Sequence, residues 1–247
     1  MSGTRYTPGW SPRAVAFMER RTAATHAPEA LAVLRPGMDL LDLGCGPGTI
    51  TVGLARAVAP GRVVAVDADP GQATTTRERA AADGVPVRAL AADAAALPLP
   101  DASFDAAFAH ALLEHVADPV AVLREVRRVL RPGGVAVATS PDWGGFVLAP
   151  DDPGAAAAIA AYERLQAANG GDVRAGRRLG GHMAAAGFAG VAMSARYEVY
   201  EDRTAIADYL AERLGDTPEA GALRAWGRLP GGLFAQAWVT ARGQAPG

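Results

Sequence analysis

The chain has 247 residues, 50% of them hydrophobic and 20% charged, which excludes overall disorder and suits one α/β domain carrying an elaborated cap. Its 24 basic residues against 26 acidic ones leave a formal charge of -2, so there is no global field for a polyanion, and a small-molecule partner is expected rather than nucleic acid. Every basic residue is Arg, which removes mechanisms built on lysine: Walker-type nucleotide hydrolysis, Schiff-base chemistry and Tyr/Lys hydride-transfer dyads.

In chain order, residues 1–37 form an N-terminal arm in which Tyr6-Thr7-Pro8-Gly9-Trp10 precedes a helix carrying Arg20 and Arg21. Apolar runs of strand length follow at Met38–Leu43, Arg62–Asp67, Val85–Leu90, Phe104–Ala109 and Val135–Thr139, alternating with helical stretches, and this alternation predicts a parallel sheet with crossover helices. Residues 49–59 repeat Ile50, Leu54 and Val58 at helical spacing, and Asp118-Pro119 opens another helix with an N-cap and Pro at its first turn. The Gly/Pro-rich stretch 141–154 is read as an insertion, leading into an Ala-rich helix that ends near Asn169 and a further helix over Arg177–Ala186. A strand at Val191–Tyr200, helices at 203–214 and 217–226, and a last strand at Leu233–Thr240 complete the pattern, the two late strands pairing antiparallel. The expected layout is one domain: arm 1–37, core 38–140, cap insertion and helix 141–187, and C-terminal strands and helices 188–247.

Cys45 is the only cysteine and the four histidines are scattered, so no disulfide framework and no metal site is expected. No apolar run approaches the ~18 to 20 residues that span a bilayer, and the N-terminus lacks a basic segment followed by an apolar one. The expectation is a soluble, cytoplasmic protein without membrane insertion. The sequence leaves the oligomeric state open.

Leu40-Leu41-Asp42-Leu43-Gly44-Cys45-Gly46-Pro47-Gly48 ends a strand and opens a helix, a turn that lets backbone approach a nucleotide-like ligand. Asp67 ends the next strand, where a carboxylate can bond a ribose diol. Asp93 and Ala94 follow the third strand. These segments, LLDLGCGPGT, VVAVDADP, AADAAALPLPDASFDAAFAHALLEHV and LREVRRVLRPGG, resemble in order and spacing the motifs of class I S-adenosylmethionine-dependent methyltransferases, most closely the ubiquinone/menaquinone type that acts on small molecules. The resemblance implies a Rossmann-like, seven-stranded, mostly parallel sheet with helices on both faces and only its last strand antiparallel. It further implies that Asp42, Gly44, Gly46 and Gly48 surround the methionine half of S-adenosylmethionine, that Asp67 holds the ribose hydroxyls, and that Asp93 with the Ala94 backbone reads the adenine, with Cys45 and Ala68 as further cofactor-binding residues. His110 would lie beside the methionine end, and the N-terminal arm would fold over the cofactor as a lid, with Tyr6 and Arg21 as contacts.

Methyl transfer from a sulfonium requires in-line positioning in a dry pocket, plus a base where the acceptor must lose a proton. His115 is the base predicted from sequence, because it follows the fourth strand at its carboxyl end, with Glu114 next. Trp10, Trp143 and Phe146 are the candidate acceptor contacts. Two other readings stay open: a methyltransferase acting on nucleic acid or protein, and a methyltransferase-like protein that keeps the cofactor without transferring its methyl.

Overall fold

All four residues of β1 (Leu40–Leu43) are buried, Asp42 included, as befits a parallel strand covered by helices on both faces. In the computed structural model, which describes residues 6–247, β1 sits inside a seven-stranded sheet. The other strands are β2 (Val63–Asp67), β3 (Val87–Ala91), β4 (Phe104–His110), β5 (Leu130–Ala149), β6 (Ala189–Val199) and β7 (Leu233–Gln244), in the spatial order β3-β2-β1-β4-β5-β7-β6. Strands β1 to β5 pair parallel, and β7 runs antiparallel to both neighbours. The fold is the one implied by the motifs.

Three short helices precede the sheet: α1 (Pro12–Glu19), α2 (Ala23–His26) and α3 (Pro28–Leu31). Helices α4 (Thr49–Val58), α5 (Pro70–Ala82) and α6 (Pro119–Val129) follow β1, β2 and β4. Between β5 and β6 lie α7 (Pro153–Ala168) and α8 (Ala175–Ala185), and between β6 and β7 lie α9 (Arg203–Leu214) and α10 (Pro218–Gly227). One device opens five of these helices: Ser11, Asp69, Asp118, Asp152 and Thr217 each accept a backbone N–H in the first turn, and each is followed by Pro. Such a cap contributes about 1 kcal/mol.

Successive β1 residues point to opposite faces. Leu41 and Leu43 pack with Val64, Val66, α6 residues Val122, Leu123 and Val126, and α8 residues Leu179 and Met183. Leu40 packs on the other side with Val63, Phe108, Leu54 and Val58. A third cluster lies beyond the sheet, where Ile159, Tyr162, Leu210, Leu223 and Trp226 of α7, α9 and α10 bury Trp143 and Phe234.

The stretch after Pro141 departs from expectation. Residues 141–149 continue β5, pairing with β7 as far as Ala149, and the register shifts between Asp142 and Val147. Two glycines fill that irregularity. A Cβ on Gly145 would fall 2.8 Å from the Ala237 side chain, and one on Gly144 would collide with the guanidiniums of Arg174 and Arg177. Helix α8, read from the sequence as a helix flanking the sheet, packs on β5, β7 and α6. The cap is assembled from α7, α9 and α10 with α1 residues Ala14 and Phe17.

Candidate active site

A cavity of about 740 Å³ opens where the carboxyl ends of β1, β2 and β4 meet the loops that follow them, within the ~300–1,000 Å³ range of small-molecule sites. Strand order reverses between β1 and β4, the place where open α/β sheets bind ligands. The glycine loop forms its floor through Gly44, Cys45 and Gly46. The Gly46 amide donates to Asp67 Oδ2 at 2.9 Å, and the Asp69 amide donates to Asp67 Oδ1 at 2.9 Å. Asp67 therefore does not cap α5; Asp69 does, through the Gln72 amide. Burial raises the Asp67 carboxyl above its ordinary range, although its amide donors pull the other way.

Beneath the loop, Asp42 is buried and accepts the Thr51 hydroxyl at 2.6 Å. Burial pushes its pKa up to about 6 against that hydrogen bond, with the nearby Asp67 charge adding to the rise. Cys45 is buried against the Thr76 hydroxyl, and burial raises its thiol far above the reactive range. Ala68, Asp93 and Ala94 line the cavity beyond Asp67. Asp93 stands two residues past the end of β3, and its Oδ1 accepts the Ala95 amide at 2.9 Å.

Gly48 does not line the cavity. It has φ +81° at the N-cap of α4, and a Cβ there would fall 2.9 Å from the Thr76 Cα. This glycine lets α4 and α5 approach each other, and has no part in the cavity wall. Phe146 lines neither cavity described here; the β5 irregularity turns it onto the edge of the cap cluster. Trp143 is buried against Tyr162 at 4.9 Å and borders only a second, smaller cavity of about 50 Å³.

That second cavity shares a wall with the first, formed by Tyr6, Met18, Arg21, Ala111 and His115. Tyr6 stacks on Trp10 at 4.6 Å and meets His115 edge-on at 4.8 Å. The arm is tied down from the cap side, since Asn169 Nδ2 donates to Thr7 Oγ1 at 3.0 Å and Arg213 Nη1 donates to the Pro8 carbonyl at 3.2 Å. The Arg21 guanidinium lies 5.3 Å from the Trp238 ring and has no carboxylate at ion-pair distance among the described residues.

His115 ends a one-turn 3-10 helix, Leu113–His115, instead of opening a longer one. Burial, with the Arg21 charge, pushes its pKa down to about 3, so its imidazole is neutral at pH 7. Glu114 is 2% exposed and lines the second cavity. Its Oε2 accepts the Ser140 hydroxyl at 2.8 Å, and its Oε1 lies 3.7 Å from His115 Nε2. Burial pushes Glu114 up to about 7, making it the group of this pair that titrates near neutrality. His110 is the last residue of β4, stacked on Trp238 at 4.6 Å, and burial keeps it neutral.

Sequence reasoning missed Tyr200, Tyr209 and Trp238 as cavity residues and Ser140 as the partner of Glu114. They come from segments with no motif of their own, so no local signal marks them. Among the described residues, no group of three or more His, Cys, Asp and Glu is placed to hold a metal ion, and no helix is long and apolar enough to cross a membrane.

Residues 41–138 match the family model described as "Methyltransferase domain". A ubiquinone biosynthesis O-methyltransferase of Parvibaculum lavamentivorans is 35% identical over 128 residues, 51% of this chain and 49% of that protein. A 27-O-demethylrifamycin SV methyltransferase of Amycolatopsis mediterranei is 35% identical over 147 residues, 59% of this chain and 52% of that protein. The chain spans from 29% to about half of the length of the curated relatives it matches. Among solved structures, the YcgJ protein of Bacillus subtilis superposes with TM-score 0.65 at 19% identity, covering 94% of this chain and 98% of that one. The [4+2]-cyclase SpnF superposes with TM-score 0.58 at 22% identity, covering 95% and 81%. Residues 41–138, which set the motifs in order on this sheet, are thus similar to a methyltransferase domain.

Proposed function

We propose that the protein transfers the methyl group of S-adenosylmethionine to a small-molecule acceptor. The observation that carries this reading is the large cavity, in which a glycine loop faces a carboxylate, Asp67, already oriented by two amides. The residues present fit such a cofactor. A Cβ on Gly46 would point into open space, which leaves room for close backbone approach, and acidic, apolar and cationic groups follow one another along the wall. When bound, S-adenosylmethionine supplies an activated methyl on a sulfonium for in-line displacement.

In this proposal Asp67, with Ala68, holds the ribose hydroxyls, and Asp93 with the Ala94 backbone reads the adenine. Gly44, Cys45 and Gly46 cradle the methionine portion above Asp42, with Tyr6, Arg21 and His110 around its tail. Tyr6 and Trp10 close the cavity against water, which strengthens every electrostatic contact inside it. The acceptor enters between the two cavities, with Trp10 and Trp143 at its borders. Glu114, fixed by Ser140, accepts a proton from an acceptor that must lose one, while the neutral His115 positions the reacting group. The base role thus passes from His115 to Glu114, because burial makes the carboxylate the more basic partner.

A small-molecule acceptor is supported by the printed names of two relatives, which concern ubiquinone biosynthesis and a rifamycin, and by a formal charge of -2. The test is calorimetry with S-adenosylhomocysteine, followed by methyl-transfer assays on an acceptor panel that includes any small molecule retained through purification. Failure to bind S-adenosylhomocysteine overturns the reading.

A further inference from the structure

Strand β6 ends the sheet and, among the described residues, pairs only with β7. Tyr200 donates its amide to the Phe234 carbonyl at 2.9 Å, and in an antiparallel ladder every second residue shares that direction. The register is unbroken from Ala192 to Val199. Even-numbered residues therefore bond β7, and the backbone groups of Met193, Ala195, Tyr197 and Val199 face the free edge. Their side chains project from one face of the sheet, with Met193 47%, Tyr197 55% and Val199 53% exposed. Val147, 42% exposed, shares the Ala235 row with Val199 and carries the apolar strip onto β5.

Edges that must stay single are usually blunted by lysine, proline or a bulge. The segment Ala192–Val199 has no lysine or proline, and the β6 irregularity lies before it, between Ala189 and Ala192. On the opposite face stand Arg196 and Glu198. Arg196 has no ion-pair partner among the described residues, and Glu198 has only Arg20 at 3.9 Å and His26 at 3.4 Å, the latter held toward its neutral form by burial.

We propose that a second copy of this chain pairs antiparallel along β6, about a two-fold axis at Tyr197, so that the two sheets join edge to edge. The charges select this axis. It sets Arg196 of each copy directly opposite Glu198 of the other, a favourable cross-strand pair made twice. An axis at Ala195 would set Arg196 opposite Ser194 and leave both charges unmatched. The pairing also satisfies the outward backbone groups and covers Tyr197 and Val199. The strip is smaller than the ~800 Å² per partner of a standard interface, so the dimer is weak and concentration-dependent.

Sedimentation equilibrium of the full chain across the micromolar range is expected to show an average mass rising from 25.3 kDa toward twice that value. Arg196→Glu or Glu198→Arg alone should weaken association at least tenfold, and the two together should restore it. Opposed residues on hydrogen-bonded sites lie about 5.5 Å apart between Cα atoms, within disulfide range, so Tyr197→Cys should give an oxidised covalent dimer. Ala195→Cys should not, because its copies would be displaced by four residues, ~13 Å along the strands. Both sites are exposed at the edge, so neither change threatens folding. A chain that stays at 25.3 kDa across the concentration range overturns the proposal. So does a covalent dimer formed by the Ala195→Cys variant and not by Tyr197→Cys.

Discussion

The Gly46 amide reaches the Asp67 carboxylate at 2.9 Å, tying the loop after β1 to the end of β2 across 21 positions of sequence. In the proposed function this one carboxylate both shapes the loop and holds the ribose diol. Asp67→Ala is expected to weaken S-adenosylhomocysteine binding by roughly 1.5–3 kcal/mol for each charged hydrogen bond lost. Asp67→Asn should fall between the two. Calorimetry reads both, and an unchanged affinity in the alanine variant overturns the ribose assignment.

Glu114 and His115 separate by pH. With Glu114 at about 7, turnover on an acceptor that must lose a proton should rise through pH 7 as the carboxylate deprotonates. Glu114→Gln is expected to remove that limb and lower turnover by about 10² to 10⁴. His115→Asn should keep the limb and change acceptor KM more than kcat. Loss of the limb in the histidine variant alone would return the base role to His115.

The same carboxyl makes a stability statement. Folding raises Glu114 from its ordinary 4.5 to about 7, so the folded chain holds this proton over a window in which the unfolded chain has lost it. Its contribution is fully present below pH 4.5 and is lost as pH rises through about 7. Chemical denaturation at pH 5 and pH 8 should show Glu114→Gln losing less stability between the two than the natural chain.

Asp142 carries the opposite sign. Burial alone would raise it, but Arg177 binds it through Nε and Nη2 at 2.6 and 2.7 Å, and the net effect is a lowered carboxyl. Its contribution is present above the ordinary carboxylate range and is lost as pH falls through the lowered value. Arg177→Met should therefore lower Tm at pH 7 and do so less at pH 3, which a pair of melting curves decides.

Gly48→Ala tests the glycine that lies outside the cavity. With φ +81° and Thr76 backbone 2.9 Å from the added Cβ, the substitution should destabilise by about 1–3 kcal/mol. Thermal melting checks it, and an undiminished Tm would remove the close approach of α4 and α5 as the reason for this glycine.

Much of this molecule is written locally. The parallel strands β1, β2 and β4 follow from apolar runs covered on both faces, and α5, α6, α7 and α10 follow from a capping side chain with Pro at the first turn. The glycine loop and Asp67 were legible because a close backbone turn and a carboxylate at a strand end need particular residue types at a fixed spacing. What the sequence left undecided depends on partners far along the chain. The stretch 141–149 carries loop-forming glycines, yet it becomes strand because β7, nearly a hundred residues later, offers an edge to pair with. Gly48 has the look of a cofactor-loop residue until Thr76 of α5 is found against it. Only the tertiary fold buries Glu114 beside Ser140 and His115 and so reverses which of the two adjacent residues is the stronger base, because desolvation favours the neutral form and acts with opposite sign on a carboxylate and an imidazole.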